Sequence, residues 1–421
     1  MKDKINQLFR TIYKLKDKIA FYPSIIGLAG CLFAYLMFFL ENLGISKYLL
    51  EIVPELVINN SETARALLTT FIAGLISIMV FSFSMVMILL NQASSNFSPR
   101  LLPGLISNRR HQIVLGFYLA TILYCIFILV SIEPDGNKYQ LPGFSVLFSI
   151  IFMVNCLAAF IYFIHSISQE IQISNIMSKI FKVSKSRLEK LIDLEKDLET
   201  EAFKDTSNWT TYTPKNNGYL QDISIDNIGR IAHELKTKIE VLPIKGTFIL
   251  KEDSLFKSEK ELDNDKVELI LKHFDFAKSE LIEDNYILAF KQLTEIALKA
   301  MSPGINDPGT ALNAIDYLTQ LFVLRCKKSD TSLYKYEEIT NVALATVSFK
   351  DLLYYVMAAL RTYCKHDVIL VTKLHKMLTD LKKVCTNSNY NTCIANEIDA
   401  LVEDAKSAVD NERDVKFINA L

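Results

Sequence analysis

"RALLTTFIAGLISIMVFSFSMVMILLNQASSNFSPR", residues 65–100, holds no charged side chain between Arg65 and Arg100. As one helix rising 1.5 Å per residue it would be about 50 Å long, against a hydrocarbon core of roughly 30 Å. A run this apolar reads as a membrane span that tilts, bends or projects beyond the bilayer. Its polar residues are patterned: Thr70, Ser77, Ser84 and Asn91 recur at every seventh position, with Gly74, Phe81 and Ile88 between them and Ser95 one step beyond. At 3.5-residue spacing these positions share one stripe. Two readings compete for it. Small and hydroxyl residues let membrane helices approach closely and hydrogen-bond across the contact. The same atoms could line a pore in an oligomer, hydroxyls replacing part of an ion's hydration while Phe81 and Ile88 act as apolar constrictions. No stripe residue is acidic or basic, so a pore would select ions weakly, and a proton relay or carboxylate-coupled carrier is disfavoured.

Working outward, segments at about 21–40, 112–132 and 143–166 are also near the length and composition of a span, making four with 66–91. The chain has 421 residues, 50% of them hydrophobic, and its mean hydropathy is positive. A formal net charge of −1 gives no sign of a nucleic-acid partner. Residues 1–20 carry Lys2, Lys4, Arg10, Lys14, Lys16 and Lys18 and lack the short apolar core and small-residue cleavage site of a signal peptide. Basic residues recur at Arg100, Arg109, Arg110 and His111, and again from Lys179 to Lys190. By the positive-inside rule both termini are cytoplasmic and the protein is a multi-pass protein of a bacterial inner membrane.

Beyond the fourth span, Ile173, Ile176, Ile180, Val183, Leu188, Leu191, Leu194 and Leu198 recur near helical spacing. They predict an amphipathic helix, over 167–206, that either transmits motion or packs as a neck. Short alternating pieces ("GYLQDISI", "KIEVLPI", "TFILKE") predict a small β-rich module at 207–260. Amphipathic runs then predict a helical domain over 261–421, in which Ser348 precedes Asp351 by three residues as an approximate capping box. The expected fold is mostly α: a four-helix transmembrane domain over 21–166, then a cytoplasmic part with a small β-module and a helical bundle.

The chain's chemistry is sparse. Seven cysteines form no Cys-x-x-Cys pair and read as reduced structural thiols. Cys364, His366 and His375 match no common zinc spacing, and phosphate-binding glycine loops, nucleophile elbows and His-Glu-x-x-His are missing. No catalytic residue, metal or cofactor is therefore assigned. One motif looks chemically pointed: "MSPGINDPGT", residues 301–310. Pro303 ends the preceding helix, Gly304 permits positive φ, and Asn306 or Asp307 caps a helix whose first turn begins with Pro308. This is a rigid corner or subunit contact. The functional alternative uses the same helix start, with Ser302, Gly304, Asn306, Asp307 and Thr310, to hold a small anion.

At this motif "AMSPGINDPGTALNAIDYL" resembles the "ALSPGINDPFTA…CIDRL" hallmark of a large family of bacterial membrane proteins, the domain of unknown function numbered twenty-two fifty-four. The block "ARALLTTFIAGLISIMVFSFSMVMILLNQASSNFSPRLLPGLISNRRHQIVLGFYLATILYC" resembles a second motif of that family, and further similarity lies in "IYFIHSISQEIQ" and the "GYLQDI…GTFIL" module. The resemblance spans about 20–410. Gly309 departs from it where the family usually carries an aromatic residue. It implies architecture and brings no catalytic residues. The functional expectation is a homo-oligomeric inner-membrane protein, channel or pore-like, lined by the second span and regulated by its cytoplasmic domain. The alternative is a membrane-anchored sensor or scaffold that binds a small anion or a partner protein. A third class, a membrane enzyme, lacks a clustered acid/base set.

Overall fold

The structure is a computed structural model that describes residues 20–52, 58, 60–96, 109–132, 142–170, 172–195, 203, 205–277, 285–337 and 339–421. The basic amino terminus and Arg100, both used to orient the chain, lie outside these residues, as does the side chain of Ser95. The chain divides into two compact units, residues 1–172 and 173–421.

The first unit is helical: α1 (Phe21–Asn42), α2 (Ile45–Ile52), α3 (Ser61–Asn96), α4 (Arg109–Val130) and α5 (Gly143–Glu170). Four helices are long and apolar enough to cross a membrane: Phe21–Asn42, Ser61–Leu89, Arg109–Val130 and Gly143–Gln169. α4 is the most enclosed of them and packs against α1, α3 and α5. Small residues decide how close α1 comes. A Cβ built on Gly30 would lie 2.7 Å from both Cβ and the carbonyl oxygen of Ala120, and one on Gly116 would lie 2.9 Å from Ile26 and 3.1 Å from Pro23 Cα. Without a hydrophobic driving force between helices in lipid, this close backbone approach is what gains dispersion contact. Toward one end of the unit Phe33, Tyr124, Phe148 and Phe152 pack ring against ring at 5.2–6.0 Å. Leu75, Tyr118, Cys156 and Phe163 form a second cluster.

A single carboxylate secures one end of this unit. Glu41 accepts from the backbone N–H and hydroxyl of Ser145, each at 2.8 Å, and from the Ser46 hydroxyl at 2.5 Å. Ser46 in turn accepts the Phe144 N–H at 2.9 Å, and Tyr124 donates to the Ser145 carbonyl at 2.9 Å. The first N–H groups of α5, which have no partner within their own helix, are thereby satisfied by residues a hundred positions earlier, with the negative charge on the favourable end of the helix dipole.

The second unit begins with α6 (Ile173–Glu195). α5 ends at Glu170 and α6 starts at Ile173, within the 167–206 stretch read as an amphipathic helix. The predicted apolar face of α6 is buried at Ile176, Met177, Ile180 and Leu188, packed on α9 (Tyr286–Ala300) and α10 (Pro308–Arg325).

Two sheets follow. β1 (Thr210–Tyr212), β5 (Phe256–Ser258), β3 (Ile239–Val241), β8 (Ile339–Ala345) and β7 (Thr331–Tyr336) lie in that order in one; β4 (Phe248–Ile249), β2 (Gly218–Ile223) and β6 (Phe274–Ala277) make the other. β3 pairs with β8 in parallel, Ile239 opposite Val342, while the other pairs are antiparallel. The β-rich region therefore reaches past residue 260 and takes in the β7–β8 hairpin from the stretch read as a helical domain. α7 (Ile225–Glu234) lies on β7 and β8 and α8 (Asn264–Leu271) precedes β6, around a core of Leu220, Ile228, Ile239, Val241, Phe256 and Val342. Asn341 stitches α7 to the sheet by donating to the Gly229 carbonyl at 2.7 Å.

The helical part comprises α9, α10, α11 (Phe349–Cys364), α12 (Val368–Val384), α13 (Ser388–Ala408) and α14 (Glu412–Asn419). The Ser348 cap reads as expected, its oxygen accepting from Asp351 N at 3.0 Å and its proton going to Asp351 Oδ2. At the centre lies Arg325, fully buried at the end of α10. It donates to the carbonyls of Lys328 and Val347, each at 2.8 Å, and to the Asp330 carboxylate, with Phe349 and Tyr390 each 6.0 Å from the guanidinium. Asp330 also accepts the Phe349 N–H that opens α11.

Candidate functional sites

Three places were singled out by the sequence or by the cavity in the fold, and the structure treats them differently.

The stripe lies on the outer face of α3. Thr70, Ser77, Phe81, Ser84, Ile88 and Asn91 are all exposed, whereas Ala64, Leu68, Leu75 and Ser82 turn inward and are buried. Gly74 is half-buried, with Met153 Cε at 3.9 Å from a built Cβ. Thr70 and Ser77 donate their hydroxyl protons to the carbonyls four residues earlier, Ala66 at 2.7 Å and Ala73 at 3.0 Å. Back-bonding of this kind leaves the oxygen lone pairs pointing outward as acceptors. The side chain of Ser95 lies outside the described residues.

The "MSPGINDPGT" corner is closed on itself. Asp307 is the N-cap of α10, accepting from Thr310 N at 3.0 Å and from the Thr310 hydroxyl at 2.6 Å, and Pro308 occupies the first turn. Ser302 Oγ donates to Lys299 O, the Ser302 carbonyl accepts from Ile305 N and Asn306 N, and Asp307 N returns to Ala300 O at 2.8 Å. Positive φ falls on Asn306, at 47°, and not on Gly304, correcting the sequence reading; asparagine tolerates the left-handed region because its short polar side chain can bond locally. Gly304 faces open space, and a Cβ on Gly309 would meet Asp307 Oδ1 at an ordinary 3.4 Å, so the corner has room for a larger residue there. An anion approaching this helix start would meet the aspartate already seated on it.

The hydrogen bonds from Thr310 hold the Asp307 carboxyl below the usual aspartate range. Because the folded pKa is the lower one, the contribution is full above the unfolded value, near 3.9, and fades as pH falls through the folded value. Asp307→Ala should cost about 1 kcal/mol of stability at neutral pH. In paired thermal melts the gap to wild type should narrow as pH falls below about 4; an unchanged gap would assign the effect to something other than the charged cap.

The third place has no local signature in the sequence. A cavity of about 660 Å³, counting the open space at its mouth, is lined by residues of α6, β2, the β3–β4 connection, the start of α9, and the β7–β8 region. Arg187, Lys245 and Lys328 bring basic groups to it, and Asp222 is the acidic residue of its lining. Asp222 pairs with Lys245 at 2.7 Å, and Asn285 donates to the Lys245 carbonyl at 3.1 Å. Burial raises the Asp222 pKa, but the Lys245 hydrogen bond and charge, with Arg187 adding to them, leave it below the ordinary aspartate value. Lys328 is almost wholly buried.

Elsewhere the titratable residues are dispersed. Among the described residues no three His, Cys, Asp or Glu side chains gather as metal ligands. His366 faces the Ala408 carbonyl at 3.3 Å, and burial lowers the pKa of His375. Burial, with Cys385 beside it, pushes the Cys326 thiol well above its usual range, away from thiolate chemistry.

The chain is 25% identical over 374 residues to an uncharacterized protein of Mycobacterium bovis and, to the same extent, to one of Mycobacterium tuberculosis, covering 83% of this chain and 70% of each relative. No solved structure matches it. A family described as "Predicted membrane protein (DUF2254)" matches residues 16–380, so the chain, with its four apolar helices, belongs to that membrane-protein family.

Proposed function

We propose that this is a homo-oligomeric protein of a bacterial inner membrane, both termini cytoplasmic, in which α3 of each copy faces a common axis and forms a channel-like path regulated by the carboxy-terminal unit. One observation carries the reading: the face of α3 turned away from its own bundle holds Thr70, Ser77, Ser84 and Asn91 in register with Phe81 and Ile88. A face meant only for lipid gains nothing from an asparagine and three hydroxyls, whereas back-bonded hydroxyls suit a path along which weakly held ions exchange part of their hydration. The lack of a charged stripe residue implies weak ion selectivity.

The test is conductance of the purified protein in planar bilayers, with subunit number by native mass measurement. Wild type should conduct, and Ser84→Leu and Asn91→Leu should reduce the current while leaving the oligomer intact. Silence from all three proteins, together with a monomer in detergent, would sink the proposal. An oligomer that never conducts would reassign the face to subunit packing. The alternative of a membrane-anchored sensor or scaffold now draws on the basic cavity and not on the corner at 301–310, whose capping atoms are occupied.

A further inference from the structure

We propose that the cavity of the carboxy-terminal unit binds an organic phosphate, its anionic group held among Arg187, Lys245 and Lys328 and its ring-bearing or apolar body resting on Tyr286, Tyr334 and Leu344. The inference requires neither an oligomer nor a pore.

Charge is the first ground. Three basic residues from segments that lie far apart in the chain line one cavity against one acidic residue, Asp222, which is engaged with Lys245 at 2.7 Å, while the Lys328 ammonium donates to the Ser329 carbonyl at 3.0 Å. Gathering like charges in a recess raises the folded state's energy unless an anion compensates them. The second ground is Arg187. Its Nε is buried without a hydrogen-bond partner, and its charge acts on Asp222. A desolvated donor left unmatched is costly, and a guanidinium fork matches two oxygens of a phosphate.

The lining identifies the rest of the ligand, since small-molecule sites are mostly apolar with a few placed polar groups. Most of its wall is apolar or aromatic, including Leu191, Ile223, Ile225 and Ile287 besides the two tyrosines and Leu344. Because the lining is drawn from α6, both sheets and α9, an occupant would tie these elements together and stabilise the unit as a whole.

Full-length protein in detergent micelles is titrated with adenosine monophosphate, a sugar phosphate, inorganic phosphate and adenosine at matched ionic strength, following melting temperature and calorimetric binding. At least one organic phosphate should raise the melting temperature and bind more tightly than inorganic phosphate, with adenosine inactive. Arg187→Gln and Lys245→Gln should each weaken that binding about tenfold or more, as expected for a lost charge-assisted contact, and exposed-site Lys350→Gln should not. Asp222→Asn should tighten it several-fold, an effect opposite in sign to a loss of packing, and it serves even where Arg187→Gln fails to fold. Absence of stabilisation by either organic phosphate overturns the proposal, as does equal binding by wild type and both cation variants. Inorganic phosphate binding as tightly as the organic probes would overturn the assignment of the ligand's body.

Discussion

Arg325→Ala is expected to be the most damaging single substitution in the carboxy-terminal unit, lowering its stability by about 3–5 kcal/mol. The guanidinium has no exposure, so its removal takes away packing beside the stacked Phe349–Tyr390 pair as well as charge. It also strands acceptors that water cannot readily reach: the carbonyls of Lys328 and Val347 and one side of the Asp330 carboxylate. The loss spreads because Asp330 accepts the first N–H of α11 and Tyr390 donates to the same Lys328 carbonyl. Arg325→Lys should recover little, since a single ammonium cannot span three acceptors set for a planar fork. Denaturant unfolding of the whole chain, followed by the fluorescence of Trp209, the sole tryptophan, measures both variants. A loss below about 1 kcal/mol for Arg325→Ala would mean that the network is replaceable by simple collapse.

Gly30→Ile should have the largest effect in the membrane unit. Its Cβ would meet Ala120 backbone atoms at 2.7 and 2.8 Å, so no side-chain rotation relieves the clash and α1 must move off α4. Overpacking ordinarily costs about 1–3 kcal/mol, and contact with backbone puts this case at or above the upper end. Gly74→Ile is the matched control, because a Cβ there meets only Met153 Cε, at 3.9 Å. Melting in detergent should fall sharply for the first variant and stay near wild type for the second. Equal melting temperatures would show that the α1–α4 seam is looser than its geometry indicates.

Much of this fold is legible in the sequence where the signal is local and repeated. Hydropathy marks the four spans to within a few residues, because burying a backbone in lipid requires a long helix and leaves little choice of residue. Caps are legible for the same kind of reason: Asp307 and Ser348 each act three residues away, on Thr310 and Asp351. Gly304 misled because glycine is the default for positive φ, and here Asn306 adopts it. What stays hidden depends on distance along the chain. β8 pairs with its hairpin neighbour β7 on one side and with β3 about a hundred residues earlier on the other, and nothing in "ITNVALATV" points to that distant partner. The basic cavity is hidden more deeply still, since Arg187, Lys245 and Lys328 have no common spacing and meet only when α6 packs on the helices and sheets that follow it.

The carboxylate of Glu41 has one more implication, for biosynthesis. Its partners Phe144 and Ser145, reached directly or through Ser46, are made about a hundred residues later than the glutamate itself. Until the fourth span has been inserted, the first span carries an anion at its end with no α5 amides to meet it, and the clamp closes only on a complete set of four. A nascent chain that stalls or inserts with the wrong topology would keep that charge uncompensated, giving quality-control proteases a feature by which finished and unfinished molecules differ.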